Sequence, residues 1–291
     1  MGFYFAEGTK SKDSIAISNK EFKLIQKSIN IFEEEFNIPK SSWKLWIRSA
    51  NKEEFGKEKL KTKWAQKTDL NTSVIFSKLA YEESLEIRIN SRVLSSQINN
   101  FFNNNIKEIC NNKEYAKHFL RGYFIGDGSI SLRNKQIHGI HLTVKEEKYK
   151  EILIKVLKFL YEKEPNVRIT KGAYDISYCD VNIITKTILD KIFIDLDRQW
   201  KKLIKGYKNK QYTRARIKYW NKITEIPLNP YEIAILSGNS HWSVRDALNK
   251  DIKLGLVEAK YKHINRTGAY TKYYSLSKEG ERLYKTIKEV K

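Results

Sequence analysis

Apolar positions in the first 220 residues alternate between the spacing of amphipathic helices and the period of two that is typical of half-buried strands. In the segment 21–36, Phe22, Ile25 and Ile29 recur at near-helical spacing, whereas Trp43–Arg48 alternates as a strand with a basic face. The same patterns predict a first series of elements, with strands at 14–18, 43–48 and 85–89 and helices at 21–36 and 91–102.

A second series of elements repeats this order about 120 residues later. Each series predicts the order helix, two strands, helix, two strands, helix, and residues 51–77 form a polar insertion in the first. We therefore expect an α+β fold with two pseudo-symmetric αββαββα halves, residues 1–112 and 113–222. The second series comprises strands at 140–143, 167–170 and 174–178 and helices at 146–161 and 181–194, with Pro165 after the first of these helices.

The C-terminal part of the chain has a different pattern, and Pro227 and Pro230 indicate a linker before it. Ser240 is positioned to cap a helix that runs to about Leu254 and ends at Gly255. Together with its neighbours, this helix resembles a winged helix-turn-helix DNA-binding domain. The predicted elements of this domain, residues 228–291, are helices at 231–236, 240–254 and 277–290 and a hairpin formed by 256–259 and 270–276.

Two short segments repeat the same order of residue types, Gly2-Phe-Tyr-Phe-Ala-Glu7-Gly8 and Gly122-Tyr-Phe-Ile-Gly-Asp127-Gly128. Small residues four positions apart lie on one face of a helix, so two such helices can pack closely. This packing would bring Glu7 and Asp127 side by side at the C-terminal ends of the helices. Gly8 and Gly128 follow the acids, where glycine commonly ends a helix.

The paired carboxylates would repel each other, and each lies at the negative end of a helix dipole, which costs roughly 0.3–1 kcal/mol. A bound cation would remove this cost. Oxygen ligands beside a phosphodiester favour Mg²⁺, which can activate water and stabilise the leaving oxygen. The alternative is two glycine-capped helices whose acids are incidental.

The charge of the chain indicates a polyanionic partner, because 55 Lys and Arg residues against 34 Asp and Glu give a formal net charge of +21. A lysine-rich composition without such a partner is the alternative. Basic residues are interleaved with Trp, Tyr and Phe, and no apolar run is long enough to span a membrane, so nucleic acid is favoured over lipid. The cysteines, Cys110 and Cys179, have neither disulfide nor zinc spacing, which favours the reducing cytoplasm.

The segment Phe119-Leu-Arg-Gly-Tyr-Phe-Ile-Gly-Asp127-Gly128 resembles the signature motif of the LAGLIDADG homing endonucleases, and residues 3–8 resemble its first copy. The resemblance covers residues 1 to about 220. It implies a monomeric double-motif enzyme of intron homing, with saddle-like antiparallel sheets, that hydrolyses both strands of double-stranded DNA. It also implies Mg²⁺, with Mn²⁺ as a substitute, held by Glu7, Asp127, Gly8 and Gly128.

In this family, residues that follow the second strand of each half assist the metal site. The corresponding positions are Asn19 and Lys20 in the first half and Val144 and Lys145 in the second, with Lys23 and Lys148 one turn later. The resemblance makes Lys20 and Lys145 catalytic candidates that would polarise the scissile phosphate. Solvated lysines at the start of a helix are the alternative.

Basic strand positions would line the saddle and read base edges, and lysines in 51–67 and 201–218 would contact phosphates. In the C-terminal domain, the outward face of the helix after Ser240 and the hairpin would add contacts, with protein binding as the alternative. The candidate DNA-binding residues are Asn19, Lys23, Lys44, Arg48, Arg88, Arg133, Lys135, Lys148, Arg168 and Lys171 in the two halves, and His241, Ser243, Arg245, Asn249 and Arg266 in the C-terminal domain.

Two other functions stay open on the same fold. One is a DNA-binding transcriptional regulator that has lost cleavage, as in a bacterial sporulation-regulator family that joins a degenerate LAGLIDADG fold to a helix-turn-helix. The other is an RNA-splicing maturase that keeps the basic surface. Acids in both motifs favour the enzyme. Only six residues precede Glu7, which is too few for two helical turns, and such a shortened first helix favours the regulator.

Overall fold

A computed structural model of the chain describes residues 1–8, 11–49, 54–76, 83–264 and 269–290. The described residues form two compact units, Met1–Asp127 and Gly128–Lys291. Helices and mainly antiparallel sheets occur in both units, which confirms the expected α+β class. None of the helices in the described part of the chain is long and apolar enough to cross a membrane.

The first unit has a four-stranded sheet with one apolar face. Its strands are β1 (Ser14–Asn19), β2 (Lys44–Ser49), β3 (Asn71–Phe76) and β4 (Ser84–Asn90), in the order β1-β4-β2-β3. Ile17, Ile47 and Ile87 lie on the apolar face, where side chains from the helices α2 and α4 complete the core. The helices of this unit are α1 (Gly2–Glu7), α2 (Phe22–Phe36), α3 (Glu54–Thr68), α4 (Arg92–Ile109) and α5 (Lys113–Asp127), and a 3-10 turn spans Lys40–Ser42.

The first half departs from the predicted order of elements at two places. Residues 51–77, predicted as a polar insertion, contain the helix α3 and the edge strand β3, which runs parallel to β2. Parallel neighbours require a crossover connection, and α3 supplies it. Trp64 anchors this helix, with its ring 5.6 Å from that of Phe22. In addition, among the described residues a single strand, β1, lies between α1 and α2.

The second half keeps the predicted order from α5 to α7. Its sheet is antiparallel throughout, in the order β5-β6-β8-β7. The helix α7 ends at Leu189, five residues earlier than expected. The elements are β5 (Gly128–Arg133), β6 (Gln136–Val144), α6 (Glu147–Tyr161), β7 (Asn166–Thr170), β8 (Ala173–Tyr178) and α7 (Val181–Leu189).

The remaining elements of the second unit match the predicted helices and hairpin. Ser240 caps its helix as expected, since its Oγ accepts a hydrogen bond from the backbone N–H of Ser243, and Gly255 has a left-handed φ of 71° after the helix. The elements are α8 (Asp197–Asn209), α9 (Gln211–Ile223), α10 (Pro230–Ser237), α11 (His241–Lys253), β9 (Val257–Ile264), β10 (Ala269–Leu276) and α12 (Lys278–Glu289).

Buried polar contacts join α9 to the elements that follow it. Arg216 on α9 forms an ion pair with Asp251 on α11, and both side chains are fully buried. The second carboxylate oxygen of Asp251 accepts a hydrogen bond from Trp220 Nε1 at 2.9 Å. The backbones of Leu228 and Tyr274 exchange two hydrogen bonds across the predicted linker. The boundaries expected for three domains, 1–112, 113–222 and 228–291, stay a prediction.

Candidate active site at the ends of two paired helices

The helices α1 and α5 pack through the small residues of the repeated motif. A Cβ atom on Gly2 would lie 1.8 Å from the carbonyl oxygen of Phe119, and one on Gly122 would lie 2.7 Å from the backbone nitrogen of Phe3. A Cβ on Gly126 would lie 2.6 Å from that of Ala6. Because real Cβ atoms do not approach neighbours this closely, only glycine permits the contact. The predicted close packing of the two motifs is confirmed.

The two helices end directly before Gly8 and Gly128, as predicted, but without a left-handed glycine. Gly8 has φ −76° and ψ 137°, an extended conformation, and φ at Gly128 is not positive either. Neither residue adopts the left-handed conformation in which glycine commonly caps a helix, although each directly follows the last helical residue, as predicted. Gly8 is needed for space instead, because a Cβ there would lie 2.2 Å from the carbonyl oxygen of Tyr4.

Glu7 and Asp127 are the last residues of α1 and α5, so the packing brings both acids to one place. The side chain of Glu7 lies against the backbone just before Asp127, since a Cβ on Gly126 would be 2.7 Å from Glu7 Cγ. Burial raises the pKa of Glu7 to about 7, and the charge of Asp127 contributes to the rise. A raised pKa at a paired acid is common at functional sites.

Asn19, predicted both to assist the metal site and to contact DNA, is hydrogen-bonded to one acid of this pair. Its Nδ2 donates a hydrogen bond to Glu7 Oε1 at 3.2 Å, which lowers the pKa of Glu7 slightly against the larger effect of burial. Its Oδ1 accepts a hydrogen bond from the backbone N–H of Glu21 at 2.9 Å. Asn19 therefore connects the end of β1, the start of α2 and the candidate site.

Tyr123 is a member of the site that the sequence analysis missed. It is fully buried on α5, and burial, then the charges of Asp127 and Glu7, raise the pKa of its hydroxyl. Its position four residues before Asp127 places both on one helix face, and this spacing could have identified it.

The residues of this site fit a Mg²⁺ ion that is completed by the substrate. In the described part of the chain, no group of three or more His, Cys, Asp or Glu side chains is arranged to hold a metal. Mg²⁺ commonly binds one or two carboxylates and takes its other ligands from phosphate and water, so the half-buried Glu7 and the exposed Asp127 suffice. Gly8 and Gly128 adjoin the acids in the chain, and their role as ligands stays a prediction.

The candidate lysines are solvent-exposed, two in each unit. Lys20 directly follows Asn19, and Lys23 lies one turn later at the start of α2. Lys145 and Lys148 occupy the corresponding exposed positions after β6, in the second unit. Their assistance in catalysis stays a prediction.

The predicted arginines lie on the polar face of the first sheet, where both form ion pairs with one acidic side chain. Lys44 and Arg48 lie on the exposed side of β2, as the alternation predicted. Arg48 and Arg88 each form an ion pair with Glu86, at 2.7 Å, and the Glu86 side chain is 6% exposed. Glu86, absent from the predicted set, therefore orients both guanidinium groups and neutralises part of their charge.

On the second sheet, the predicted cations lie at the ends of hairpins and on the edge strand. Arg133 ends β5, and Lys135 and Lys171 lie in tight turns with positive φ. Arg168 lies on the fully exposed strand β7. A hydrogen-bonded series that was not predicted occupies the middle of the same face: His141 Nε2 contacts Ser131 Oγ at 2.8 Å, and its Nδ1 contacts Asp175 Oδ1 at 3.0 Å.

The side of α11 that was predicted to face outward is exposed, whereas its buried side includes an acid that was not predicted there. Arg245 and Asn249 are exposed, His241 is half-buried, and the Ser243 hydroxyl contacts the Ser240 cap at 2.7 Å. The inner side carries Asp251 beside the predicted apolar residues. Arg266 lies outside the described residues.

Substituting Glu7 by Gln should stabilise the metal-free protein at pH 8 but not at pH 5. The pKa of Glu7 is raised from its ordinary 4.5 to about 7, so its ionisation destabilises the fold progressively as the pH rises between these values. Gln cannot ionise, and its gain at pH 8 should be about 1–3 kcal/mol after allowance for partial exposure. Urea unfolding in EDTA at both pH values measures this. The exposed Glu34→Gln is the control, and an equal change at both pH values would contradict the shift.

A comparison with known proteins identifies a LAGLIDADG-like domain, which matches residues 114–193. The DNA-directed RNA polymerase subunit Rpo1C of Methanocaldococcus jannaschii is 32% identical over 143 residues, which make up 47% of this chain. The chain spans 13% of the length of that curated relative.

Solved structures with the same kind of fold are distant in sequence. Full-length DUF199/WhiA from Thermatoga maritima is 13% identical, with 87% of this chain and 88% of that one covered and a TM-score of 0.40. The structure of I-DmoI in complex with DNA and Mn is 16% identical, with 60% and 84% covered and a TM-score of 0.35. Residues 114–193 thus match a LAGLIDADG-like domain, and the described fold is of the mixed α+β class.

Proposed function

We propose that this protein is a site-specific endonuclease that hydrolyses both strands of double-stranded DNA with a divalent metal. The observation that carries the proposal is the pair of acids at the ends of α1 and α5, which the glycine contacts hold together. Two such acids are costly unless a cation or a proton neutralises them. The net charge of +21 favours a polyanionic substrate.

In this mechanism Glu7 and Asp127 hold Mg²⁺, with the carbonyl groups of Gly8 and Gly128 as neighbouring ligands. When bound, the metal supplies a nucleophilic water and neutralises charge on the phosphodiester. Asn19 fixes the orientation of the Glu7 carboxylate through its hydrogen bond. Because the pKa of Glu7 is about 7, the site is fully ready for a cation only above neutral pH, when Glu7 has lost its proton.

The remaining predicted residues would position the duplex. Side chains on the polar sheet faces, such as Lys44 and Arg168, are exposed and can reach base edges, whereas exposed lysines such as Lys145 fit phosphate contacts. The ion pairs of Glu86 keep Arg48 and Arg88 in fixed directions, which suits base recognition better than a mobile cation does. We propose a monomer acting on intracellular DNA.

Divalent-metal-dependent cleavage by the intact chain tests the proposal. A plasmid library with randomised inserts of about three helical turns is incubated with the protein in Mg²⁺, in Mn²⁺ or in EDTA, and linear products are sequenced. We expect linear plasmid in both metals, a shared insert sequence at the cut and no product in EDTA. Specific binding without any nicking in either metal would contradict the proposal.

The second candidate is a DNA-binding regulator, and the C-terminal elements favour it. The exposed Arg245 and Asn249 on α11, with Lys260, Lys262 and Lys272 on the hairpin, form a second basic surface that cleavage does not require. Such a regulator would select one insert sequence by binding and would bind it equally in Mg²⁺ and EDTA. The same library, analysed for bound as well as cut plasmid, distinguishes the two functions.

A further inference from the structure

A groove with aromatic and basic walls lies on the C-terminal elements of the second unit. It has a volume of about 450 Å³, within the range of small-ligand sites. The walls come from α10, the start of α11 and β10. We call it the aromatic groove, and its main lining residues are Tyr231, Ile235, His241, Arg245, Tyr270 and Lys272.

The rings in the aromatic groove form a platform that is already assembled. Tyr231 and His241 stack with their centroids 3.9 Å apart and their planes 13° apart. Although His241 covers one side of the ring, Tyr231 keeps 65% of its surface exposed. Trp242, the next residue along α11, is 73% exposed. A planar group could therefore continue the stack on the outer face of Tyr231 without any rearrangement of the fold.

Cations surround this platform. Arg245 and Lys272 line the groove itself, and Arg245 also lies 5.9 Å from the ring centre of Trp242. The acid in the wall, Glu232, already accepts a hydrogen bond from the Asn229 backbone N–H at 2.8 Å as part of a helix cap. The groove therefore offers flat apolar faces and positive charge together, the combination that binds bases and phosphates of single strands.

We propose that the aromatic groove binds an unpaired stretch of DNA, with one base stacked on Tyr231 and the backbone phosphates against Arg245 and Lys272. Base pairs within a duplex cover each other's faces, so a duplex cannot use this platform. Recognition of RNA would need free groups for the ribose hydroxyl. Two polar side chains of the wall, Asn229 and Glu232, are already used in the helix cap, and we therefore choose DNA, which needs no such contact, as the ligand to test against RNA. This binding goes beyond the proposed cleavage and does not depend on it.

Anisotropy of labelled 12-mers with the full chain tests the proposal, using single-stranded DNA, the matching duplex and RNA of the same sequence. Tyr231→Leu removes the ring but keeps an apolar side chain, and should weaken single-stranded DNA binding roughly 5- to 150-fold. Duplex binding should change less than about twofold. Tyr231→Phe keeps the ring and should bind like the unsubstituted protein. Tyr115→Leu, at a residue on α5 that is 54% exposed, is the matched control.

Several results would overturn the proposal. Tyr231→Leu with unchanged affinity for single-stranded DNA, or with an equal loss for the duplex, would exclude stacking on an unpaired base. Equal weakening by Tyr231→Phe would assign the effect to the hydroxyl, and tighter binding of RNA than of DNA would contradict the choice of ligand. Plasmid cleavage is measured on the same variants. Neither candidate metal ligand lies in the aromatic groove. Loss of single-stranded DNA binding with normal cleavage would therefore concern only the groove, and absence of cleavage with normal single-stranded DNA binding would concern only the proposed endonuclease.

Discussion

Cleavage of DNA is expected to stop when Glu7 is replaced by Gln and Asp127 by Asn in the same chain. Both substitutions preserve the shape of the side chains and remove only the charges that would hold the metal. Loss of one preorganised charge-stabilising group commonly costs 10²–10³ in rate, so removal of both should cost at least about 10³. The measurement is the rate of plasmid linearisation in Mg²⁺ and in Mn²⁺.

DNA binding separates this effect from damage to the fold. The double variant should bind its site at least as tightly as the unsubstituted protein, because two negative charges next to the phosphates are gone. Glu34→Gln, at an exposed position on α2, should cut at the normal rate. If the double variant still cuts, the acids are not the metal site. Lost cutting together with lost binding would point instead to disturbed packing of α1 against α5.

Replacing Asp251 by Ala is expected to lower the free energy of unfolding by about 3–5 kcal/mol, because it leaves the fully buried guanidinium of Arg216 without a counter-charge. It also removes the acceptor of the Trp220 indole N–H. Burial raises the pKa of Asp251 to about 6, although Arg216 and Trp220 favour the ionised form. Urea denaturation at pH 8, where Asp251 is ionised, measures the change.

Two further variants make the result specific to the buried charge. Asp246→Ala, on the exposed side of the same helix, breaks only the surface pair with Lys250 and should cost less than about 1 kcal/mol. Arg216→Met combined with Asp251→Leu replaces the pair by apolar side chains and should recover much of the lost stability. A cost below about 1 kcal/mol for Asp251→Ala would show that the ion pair does not stabilise the unit.

The features that could be predicted from the sequence are those that a local pattern determines. The Gly–Ala and Gly–Gly spacings predicted the packing of α1 on α5, and Ser240 and Gly255 marked both ends of α11. The alternation at Lys44–Arg48 correctly assigned the exposed side of β2. Each of these depends on residues fewer than five positions apart.

The features that could not be predicted depend on partners far along the chain. Arg216 lies in the strongly basic segment whose lysines were predicted to contact phosphates, and only Asp251, 35 residues later, explains its burial. The pairing of β3 parallel to β2 required knowing that α3 crosses between them. The hydrogen bond from Asn19 to Glu7 also joins two elements that no periodic pattern connects, and only the family resemblance placed Asn19 near the metal site.

The buried ion pair has a consequence for the construction of chimaeras. A stop codon after Pro227 would delete Asp251, while Arg216 and Trp220 stayed behind on α9. The product would carry an unpaired buried charge and an exposed apolar surface, which are signals for proteolysis and aggregation. Exchange of the C-terminal elements between related proteins should therefore place the junction before α9, so that Arg216, Trp220 and Asp251 are inherited together while α8 stays with β5 and β6, against which Gly206 packs.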